Sequence, residues 1–316
     1  MFTVAFSGIA LSLAVAWLFH SSLQSGNHIG EWPKSVLRMK SRLGSGQMFD
    51  TIAKVYDSAN MVMSLGLHHM WKDVLVAKMD VQPGDRVVDL ATGTADVALK
   101  LATAMTTEHP SAPTRKPGEA PPTTVMGSVL GLDPSSKMLD VARDKVLSRG
   151  LQSVVTLMQA DGEDLIDLPD NQFDKLTISF GIRNYANRQQ GLNEARRVVK
   201  IDNPRARVGV LEFVKPQQGP LAGLATLFLS YMVPSIGALM SGGRLFEYAH
   251  LRDSILEFPG PAAFAAMMTE AGFSDCQYEN VFVHTVYVWT CDAYRASPVE
   301  ESLTEGAGGR VSEAGA

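Results

Sequence analysis

Short runs of aliphatic and β-branched residues alternate with helical stretches through the middle of the chain. This alternation is typical of a parallel sheet that is covered by helices on both faces. It predicts strands at residues 86–91, 125–132, 154–159, 173–180, 207–214, 274–282 and 284–292. The predicted helices are residues 94–105, 135–147, 189–199, 221–233, 249–257 and 261–271. We therefore expect an α/β fold with a doubly wound, mostly parallel sheet of the Rossmann type, and an apolar helical insertion before the last strands.

Three segments depart from this alternation. Residues 1–47 carry a mostly apolar run at 4–19, which is shorter than the roughly 20 residues that cross a bilayer. We interpret residues 1–47 as a targeting or anchoring segment with its linker, and a helix packed on the fold is the alternative. Residues 106–124 contain five prolines and predict a surface insertion. The polar segment 296–316 predicts a disordered tail, which leaves one folded domain at residues 48–295.

Charge and cysteine content narrow the function classes. The formal net charge of the whole chain is -5, so no overall positive field is available to hold nucleic acid as the main partner. The two cysteines, Cys276 and Cys291, are too few for a secreted disulfide scaffold, and we expect both to be reduced thiols. The adjacent pair His68 and His69 should diverge on a helix, so we predict no metal site.

The turn after the first predicted strand is the most informative segment. An acid, Asp89, ends the strand, and the following turn opens a helix, so the backbone can approach a ligand there. A dinucleotide site would need a glycine-rich turn, but only Gly93 is present, and Ala95 stands at the second glycine position. The carboxylate of Asp96 should repel phosphate. These residues favour S-adenosylmethionine, which has an adenosine and a cationic sulfonium but no phosphate, over an ordinary βα turn.

Acids also stand at the ends of the next two predicted strands. Asp133 ends the second strand, where a carboxylate can accept both ribose hydroxyls. Asp161 ends the third strand and can accept from an adenine amino group, while Gly162 leaves room for the ring. Each acid alone would be an ordinary cap or loop residue. Three acids at successive strand ends predict an adenosyl site.

Further motifs complete a resemblance to the UbiE-type family of ubiquinone and menaquinone biosynthesis C-methyltransferases. The resemblance covers about residues 48–292. It rests on FDTIA and YD at 49–57, SLGLH and WK at 64–72, the turn at 89–96, TISFGIRN at 177–184, LEF and a proline at 211–216, and MM with AGF at 267–273. The chain departs from the family at Ala95, where the family usually has the second glycine of the turn after the first strand. The resemblance implies a class I methyltransferase fold with an N-terminal helical lid. It also implies that the residues that bind S-adenosylmethionine include Thr94, Asp133, Asp161, Gly162 and Ser179.

The resemblance implies methyl transfer to a ring carbon of a quinol, which becomes nucleophilic when a neighbouring hydroxyl is deprotonated. Arg183 and Asn184 resemble the residues proposed to act there. Because arginine stays cationic, we assign Arg183 to stabilising the phenolate and orienting a water that takes the proton, with a structural ion pair as the alternative. Asn184 would hold a quinol oxygen. Tyr56 on the lid would close the pocket, with lid packing as the alternative.

The expected substrate is a polyprenyl benzoquinol of the 2-methoxy-6-polyprenyl-1,4-benzoquinol type. A demethylmenaquinol, a plastid quinol, or a weakly active scaffold role in a quinone-synthesis complex are the alternatives. The apolar helix 221–233, ended by Pro234, should line an entrance for the tail together with Met232, Ile236, Leu239 and Met240; core packing is the other interpretation. We expect a peripheral protein on the matrix side of the mitochondrial inner membrane, with a plastid as the alternative location. The expected partners are a quinone-biosynthesis complex and, in a homodimer, a second copy of the chain.

Overall fold

The computed structural model describes residues 46–106, 127–216, 233–240 and 245–294, together with residues 223, 226, 228 and 229. The apolar run at 4–19, the insertion, the tail and most of residues 217–232 lie outside these described residues. The strands are β1 (Arg86–Leu90), β2 (Ser128–Asp133), β3 (Val155–Gln159), β4 (Lys175–Ser179), β5 (Arg207–Phe213), β6 (Ser274–Phe282) and β7 (Val286–Asp292).

The helices flank the sheet in chain order. They are α1 (Gln47–Ser64), α2 (Leu67–Met79), α3 (Asp96–Thr106), α4 (Ser136–Ser148), α5 (Arg188–Val198), α6 (Val233–Met240), α7 (Leu245–Leu256) and α8 (Pro261–Glu270). A single 3₁₀ turn, Ile182–Asn184, follows β4. The strands and most helices confirm the prediction with boundary shifts of a few residues.

The seven strands form one sheet in the order β3-β2-β1-β4-β5-β7-β6. The first five are parallel, whereas β7 is antiparallel to both β5 and β6. The predicted doubly wound, mostly parallel sheet is therefore confirmed. The chain winds outward from β1 in one direction and from β4 in the other, and ligands of such sheets bind where the carboxyl ends of these two strands meet.

Two apolar clusters cover the two faces of the sheet. Along β1, Val88 belongs to a cluster with α5 and α8, while Val87 belongs to a cluster with α2, α3 and α4. Alternate residues of a strand point to opposite faces, so both faces are buried. The rings of Phe258, Phe264 and Trp289 pack together in the first cluster. Because apolar clusters cover both faces of the sheet, the carboxyl ends of its strands are held in fixed positions.

Two sequence expectations are wrong. Pro234 does not end a helix: it lies in the first turn of α6, where a proline is tolerated because the first N–H groups have no partner within the helix. Cys276 and Cys291 are not free thiols but form a disulfide between neighbouring antiparallel strands, with their Cα atoms 4.2 Å apart. Counting cysteines could not reveal that the register of β6 and β7 places these two side by side. Among the described helices, none is both long and apolar enough to span a bilayer.

Candidate active site

Asp89 stabilises the turn that joins β1 to α3. Its two carboxylate oxygens accept hydrogen bonds from Thr92 Oγ1 at 2.7 Å and from Thr177 Oγ1 at 2.6 Å. The side chain is 1% exposed, and burial raises its pKa to about 6. Asp89 lines the larger of two adjoining cavities, but both of its oxygens already have partners within the protein. Its geometry therefore favours holding the turn over binding a ligand directly.

Three residues of this turn adopt the left-handed backbone conformation, with φ of 51° at Ala91, 56° at Gly93 and 66° at Ala95. No atom lies within 4 Å of where a side chain at Gly93 would begin, so the backbone there is open to a ligand. The methyl group of Ala95 is fully buried in the apolar cluster with α2 and α3. The substitution at the family's second glycine therefore places its methyl in the core.

Asp133 lies beside this turn at the carboxyl end of β2. Its carboxylate accepts backbone hydrogen bonds from Gly93 N and Ser135 N, both at 2.8 Å. Burial raises its pKa to about 6, against the lowering effect of these two bonds. Each oxygen keeps a further lone pair for a hydroxyl group. The side chain lines the smaller cavity, as a ribose contact would require.

The smaller cavity also contains the end of β3. Asp161, which is exposed, accepts from Glu163 N at 3.0 Å, and Gly162 beside it is buried. Asp133, Asp161 and Gly162 thus border one hollow, as their positions at successive strand ends predict. Its volume of about 50 Å³ is too small for a purine ring, so the walls must part for an adenosyl group to enter.

Helix α1 forms part of that wall and has the position of the expected lid. Its Asp50 accepts from Ser135 Oγ at 2.6 Å, and one heptad later Asp57 accepts from Thr94 Oγ1 at 2.8 Å. Phe49 and Tyr56 lie next to these acids and border both cavities. Through these hydrogen bonds, the two acids hold one side of α1 against the carboxyl ends of the strands. An outward movement of α1 would open the smaller cavity.

The charge of Asp96 is compensated, contrary to our expectation of a bare carboxylate. Lys72 Nζ and Lys145 Nζ each lie 2.8 Å from one of its oxygens. Although burial opposes the shift, the two ammonium groups hold the pKa of Asp96 well below its usual range. Lys145 also contacts Asp57 at 2.6 Å and Thr94 Oγ1 at 2.9 Å. Thr94 is therefore part of an ion-pair network that joins helices at the turn.

The larger cavity has a volume of about 570 Å³ and a largely apolar wall. It is enclosed by α1, α2, the turn after β1, the end of β5, α7 and the loop between β6 and β7. Phe228, Leu229 and Val233 of the predicted apolar insertion line it, whereas the side chains of Met232, Leu239 and Met240 lie outside the described residues. A cavity of this size suits a ring with an aliphatic substituent.

Arg183 lies at the junction between this cavity and the turn. Its Nη1 donates to Glu212 Oε1 at 2.8 Å and to Phe180 O at 2.5 Å, and both charged side chains are almost completely buried. Burial raises the pKa of Glu212 despite the opposing charge of Arg183. Sequence reasoning did not assign a role to Glu212, although the acid stands in the LEF motif at the end of β5. The ion pair fixes the guanidinium group at the cavity wall.

Tyr56, Asn184 and Ser179 surround this junction. Burial raises the pKa of the Tyr56 hydroxyl, although the charge of Arg183 lowers it. Asn184 and Ser179 border both cavities. The Ser179 hydroxyl is buried and has no hydrogen-bond partner among the described residues. An unpartnered buried hydroxyl at a strand end is what a polar ligand group would satisfy.

The two histidines do not diverge as expected. The rings of His68 and His69 lie 3.9 Å apart, near Asp96, in the first turn of α2, which begins after the left-handed Gly66. Burial and then the charge of Lys72 lower the pKa of His68 to about 4. His68, His69 and Asp96 are spaced closely enough to share a cation. Such a cation would have to displace two lysines from Asp96.

Comparisons with known proteins agree with this geometry. A sequence model of the ubiE/COQ5 methyltransferase family matches residues 38–290. The "Ubiquinone/menaquinone biosynthesis C-methyltransferase UbiE" of Geotalea daltonii is 35% identical over 244 residues, which cover 77% of this chain and 94% of that protein. The protein of the same name from Stenotrophomonas maltophilia is 36% identical over 247 residues, covering 77% of this chain and 88% of its own.

Solved structures resemble the fold at low sequence identity. A possible histamine N-methyltransferase of Thermotoga maritima, described as SAM-dependent, has a TM-score of 0.52 at 15% identity, covering 79% of this chain and 99% of its own. The putative methyltransferase in complex with the Haloferax volcanii Trm112 activator has a TM-score of 0.53 at 15% identity, covering 80% and 99%. The class I methyltransferase fold is thereby confirmed.

Proposed function

Because the chain belongs to the ubiE/COQ5 methyltransferase family and is an S-adenosylmethionine-dependent methyltransferase, we propose that it methylates a ring carbon of a polyprenyl benzoquinol in ubiquinone biosynthesis. The observation that carries the proposal is the junction of two unlike cavities. A small one is bordered by Asp133 and Asp161, and a large apolar one, which Arg183 also lines, meets it at Ser179 and Asn184. A polar cofactor in the smaller cavity and an apolar methyl acceptor in the larger cavity would meet at this point.

The residues present fit the cofactor. The open backbone at Gly93, the free lone pairs of Asp133 and the unpartnered hydroxyl of Ser179 are the groups that would hold it. Bound S-adenosylmethionine supplies an electrophilic methyl group. The protein then has to orient a ring carbon toward that methyl and to help remove the proton of the neighbouring hydroxyl.

Arg183 is placed for the second task. Its guanidinium group is held by Glu212 and keeps an Nε–H that is buried without a partner among the described residues. A fixed cation in an apolar cavity stabilises a developing phenolate more strongly than it would in water. The deprotonated oxygen would raise the electron density of the adjacent ring carbon, which would take the methyl group as its bond to sulfur breaks. The same ring carbon would then lose its own proton, and the ring would regain its aromaticity. In this proposal a water oriented by Arg183 takes the proton, and Asn184 holds a quinol oxygen.

We also propose that the cavity mouth contacts a membrane surface. Leu65, Phe228, Phe282 and Val283 line the larger cavity and are exposed, from 36% for Phe282 to 86% for Leu65. A polyprenyl substrate is insoluble in water, so an apolar rim around the entrance would let it pass from the lipid. The matrix face of the mitochondrial inner membrane, or a plastid membrane, would supply such a surface, with partner proteins of quinone synthesis beside it.

The direct test is methyl transfer from S-[methyl-³H]adenosylmethionine to a chemically reduced, short-chain 2-methoxy-6-polyprenyl-1,4-benzoquinone. We expect label in the organic phase, on a ring carbon by mass spectrometry. The oxidised quinone is the matched control and should give none, because it has no hydroxyl to deprotonate. Faster turnover of demethylmenaquinol would favour the naphthoquinol substrate instead. Tight S-adenosylhomocysteine binding without product from any quinol would favour the scaffold role.

A further inference from the structure

Tyr185 lies in a slot that is built from two glycines. It follows the 3₁₀ turn after β4, and its ring packs against Gly162 at the end of β3 and Gly191 in α5. A side-chain carbon at either glycine would overlap with the tyrosine ring. The two glycines therefore allow a large aromatic side chain to reach the smaller cavity, where Tyr185 is part of the wall.

The hydroxyl of Tyr185 has no hydrogen-bond partner among the described residues, and its oxygen is buried. Burial, with the negative charges of Asp161 and Glu163, raises the pKa of this hydroxyl. The group therefore keeps its proton at neutral pH and is available as a donor. A buried donor without a partner is costly to the protein, so such groups commonly await a ligand.

The ligand chemistry follows from the neighbours of the hydroxyl. Tyr185 packs on Gly162, and both residues line the cavity bordered by Asp133 and Asp161, where we place the adenosyl group. The ring nitrogens of adenine are hydrogen-bond acceptors. They offer what an unpartnered donor lacks, whereas the carboxylates of the same cavity suit the hydroxyl and amino groups of the ligand.

We propose that the Tyr185 hydroxyl donates a hydrogen bond to an adenine ring nitrogen and is a specificity-determining residue for the adenosyl cofactor. The proposal depends on the adenosyl group occupying the smaller cavity, and not on which quinol is methylated. No motif that led to the site includes Tyr185. Its role follows from the pair of glycines and the unpartnered hydroxyl.

The test is calorimetric binding by Tyr185→Phe, which removes the hydroxyl alone. Two probes are used: S-adenosylhomocysteine, and 5′-methylthioadenosine, which has the adenosine without the amino acid. We expect both dissociation constants to rise about tenfold, because both probes carry the adenine. The free variant should melt no lower than the wild type, since the hydroxyl that is removed had no partner. Tyr278→Phe, at an exposed tyrosine of β6, is the matched control and should change neither probe.

Three results would overturn the proposal. Dissociation constants within twofold of the wild type would show that the hydroxyl does not contact the ligand. Weakened binding of S-adenosylhomocysteine alone would place the contact at the amino-acid end. A lower melting temperature of the free variant would show a structural hydroxyl. Methyl transfer to the quinol is measured separately on the wild type, so a failure of the quinol assignment remains a different result from these binding data.

Discussion

The two cavities of this protein meet at one sheet edge and share a wall that includes Phe49, Tyr56 and Ser179, but the remainder of each is built from different parts of the chain. The smaller one consists of strand ends, tight turns and carboxylates that accept backbone N–H groups. The larger one consists mainly of apolar side chains from α1, α2, α7 and the loop between β6 and β7. Under the proposed function, the difference teaches that recognition of the cofactor would depend on the sheet topology, whereas recognition of the acceptor would depend on the elements added around the sheet.

Arg183 lines the larger cavity next to Asn184, which borders both cavities, so its removal tests the comparison most severely. We expect Arg183→Ala to lower kcat by about 10³-fold, because the variant has no fixed cation in the apolar cavity to stabilise the phenolate. The dissociation constant of S-adenosylhomocysteine should stay within about threefold of the wild type, since Arg183 faces the acceptor. Single-turnover methyl transfer and calorimetry measure the two quantities.

The same substitution leaves Glu212 buried without its partner, which is destabilising by about 3–5 kcal/mol. The double variant Arg183→Ala with Glu212→Gln removes that orphaned charge and should recover most of the stability but none of the turnover. Arg143→Ala, at an exposed pair on α4, is the surface control. Equal losses of turnover and cofactor affinity in the double variant would mean that Arg183 is a structural ion pair only.

Asp133 tests the cofactor side of the comparison. We expect Asp133→Asn to raise the dissociation constant of S-adenosylhomocysteine about 10- to 100-fold, because the amide cannot form the charge-assisted bond to the ribose. At saturating cofactor, kcat should change little. Calorimetry at neutral pH measures the first effect and steady-state kinetics the second. Unchanged binding would remove Asp133 from the site.

The pH dependence sharpens this result. The carboxyl of Asp133 has a raised pKa of about 6, so it is protonated as the pH falls below that value and accepts more weakly. Cofactor affinity of the wild type should therefore fall between about pH 7 and 5. Because the folded-state pKa is raised, this group makes the free protein less stable as the pH rises from about 4 to 6. In Asp133→Asn, the cofactor affinity and the stability of the free protein should both depend less on pH. The pH dependence that remains in the stability would come from Asp89, which is also buried.

Much of the cofactor half could be predicted from the sequence. An acid at the end of a hydrophobic strand is a local pattern, and parallel strands bring their carboxyl ends to one edge without further information. The position of Asp133, Asp161 and Gly162 around one hollow was predicted in this way. The space directly over Gly162, which we expected to be free for an adenine ring, is occupied by Tyr185. The walls of the larger cavity could not be predicted in the same way. They come from segments that lie far apart in the sequence and that meet only through tertiary packing. Thus Glu212, at the end of β5, had no local signal of its pairing with Arg183.

Other failures have the same physical origin. Asp96 appeared as a bare negative charge because the lysines that neutralise it come from α2 and α4. The disulfide depended on the register of β6 and β7, and the approach of His68 and His69 on where α2 begins. Each of these involves a neighbour in space that the linear pattern does not specify.

Phe228 tests the acceptor side. It lines the larger cavity and is 39% exposed, so a side chain there contacts the part of the substrate that reaches the entrance. We expect Phe228→Ala to raise KM about five- to tenfold for a quinol with a long polyprenyl tail, because the smaller side chain buries less apolar surface against the tail. KM for S-adenosylmethionine should not change. The size of the effect should shrink as the tail is shortened, and a uniform effect at every tail length would contradict the entrance assignment.

Ala95 gives the smallest expected effect and decides whether the departure from the family's glycine matters to the cofactor. Its φ of 66° strains an alanine by about 1 kcal/mol, which glycine would relieve. Its buried methyl contributes about 0.8 kcal/mol, which glycine would not provide. We therefore expect Ala95→Gly to change the free energy of unfolding by less than about 1 kcal/mol and cofactor affinity by less than twofold. Ala91→Gly is the matched comparison, because Ala91 shares the left-handed backbone but lines both cavities. Tenfold tighter binding of the cofactor by Ala95→Gly would mean that the methyl group of Ala95 crowds the cofactor. The methyl group would then border the cofactor site, whereas the structure places it in the apolar core.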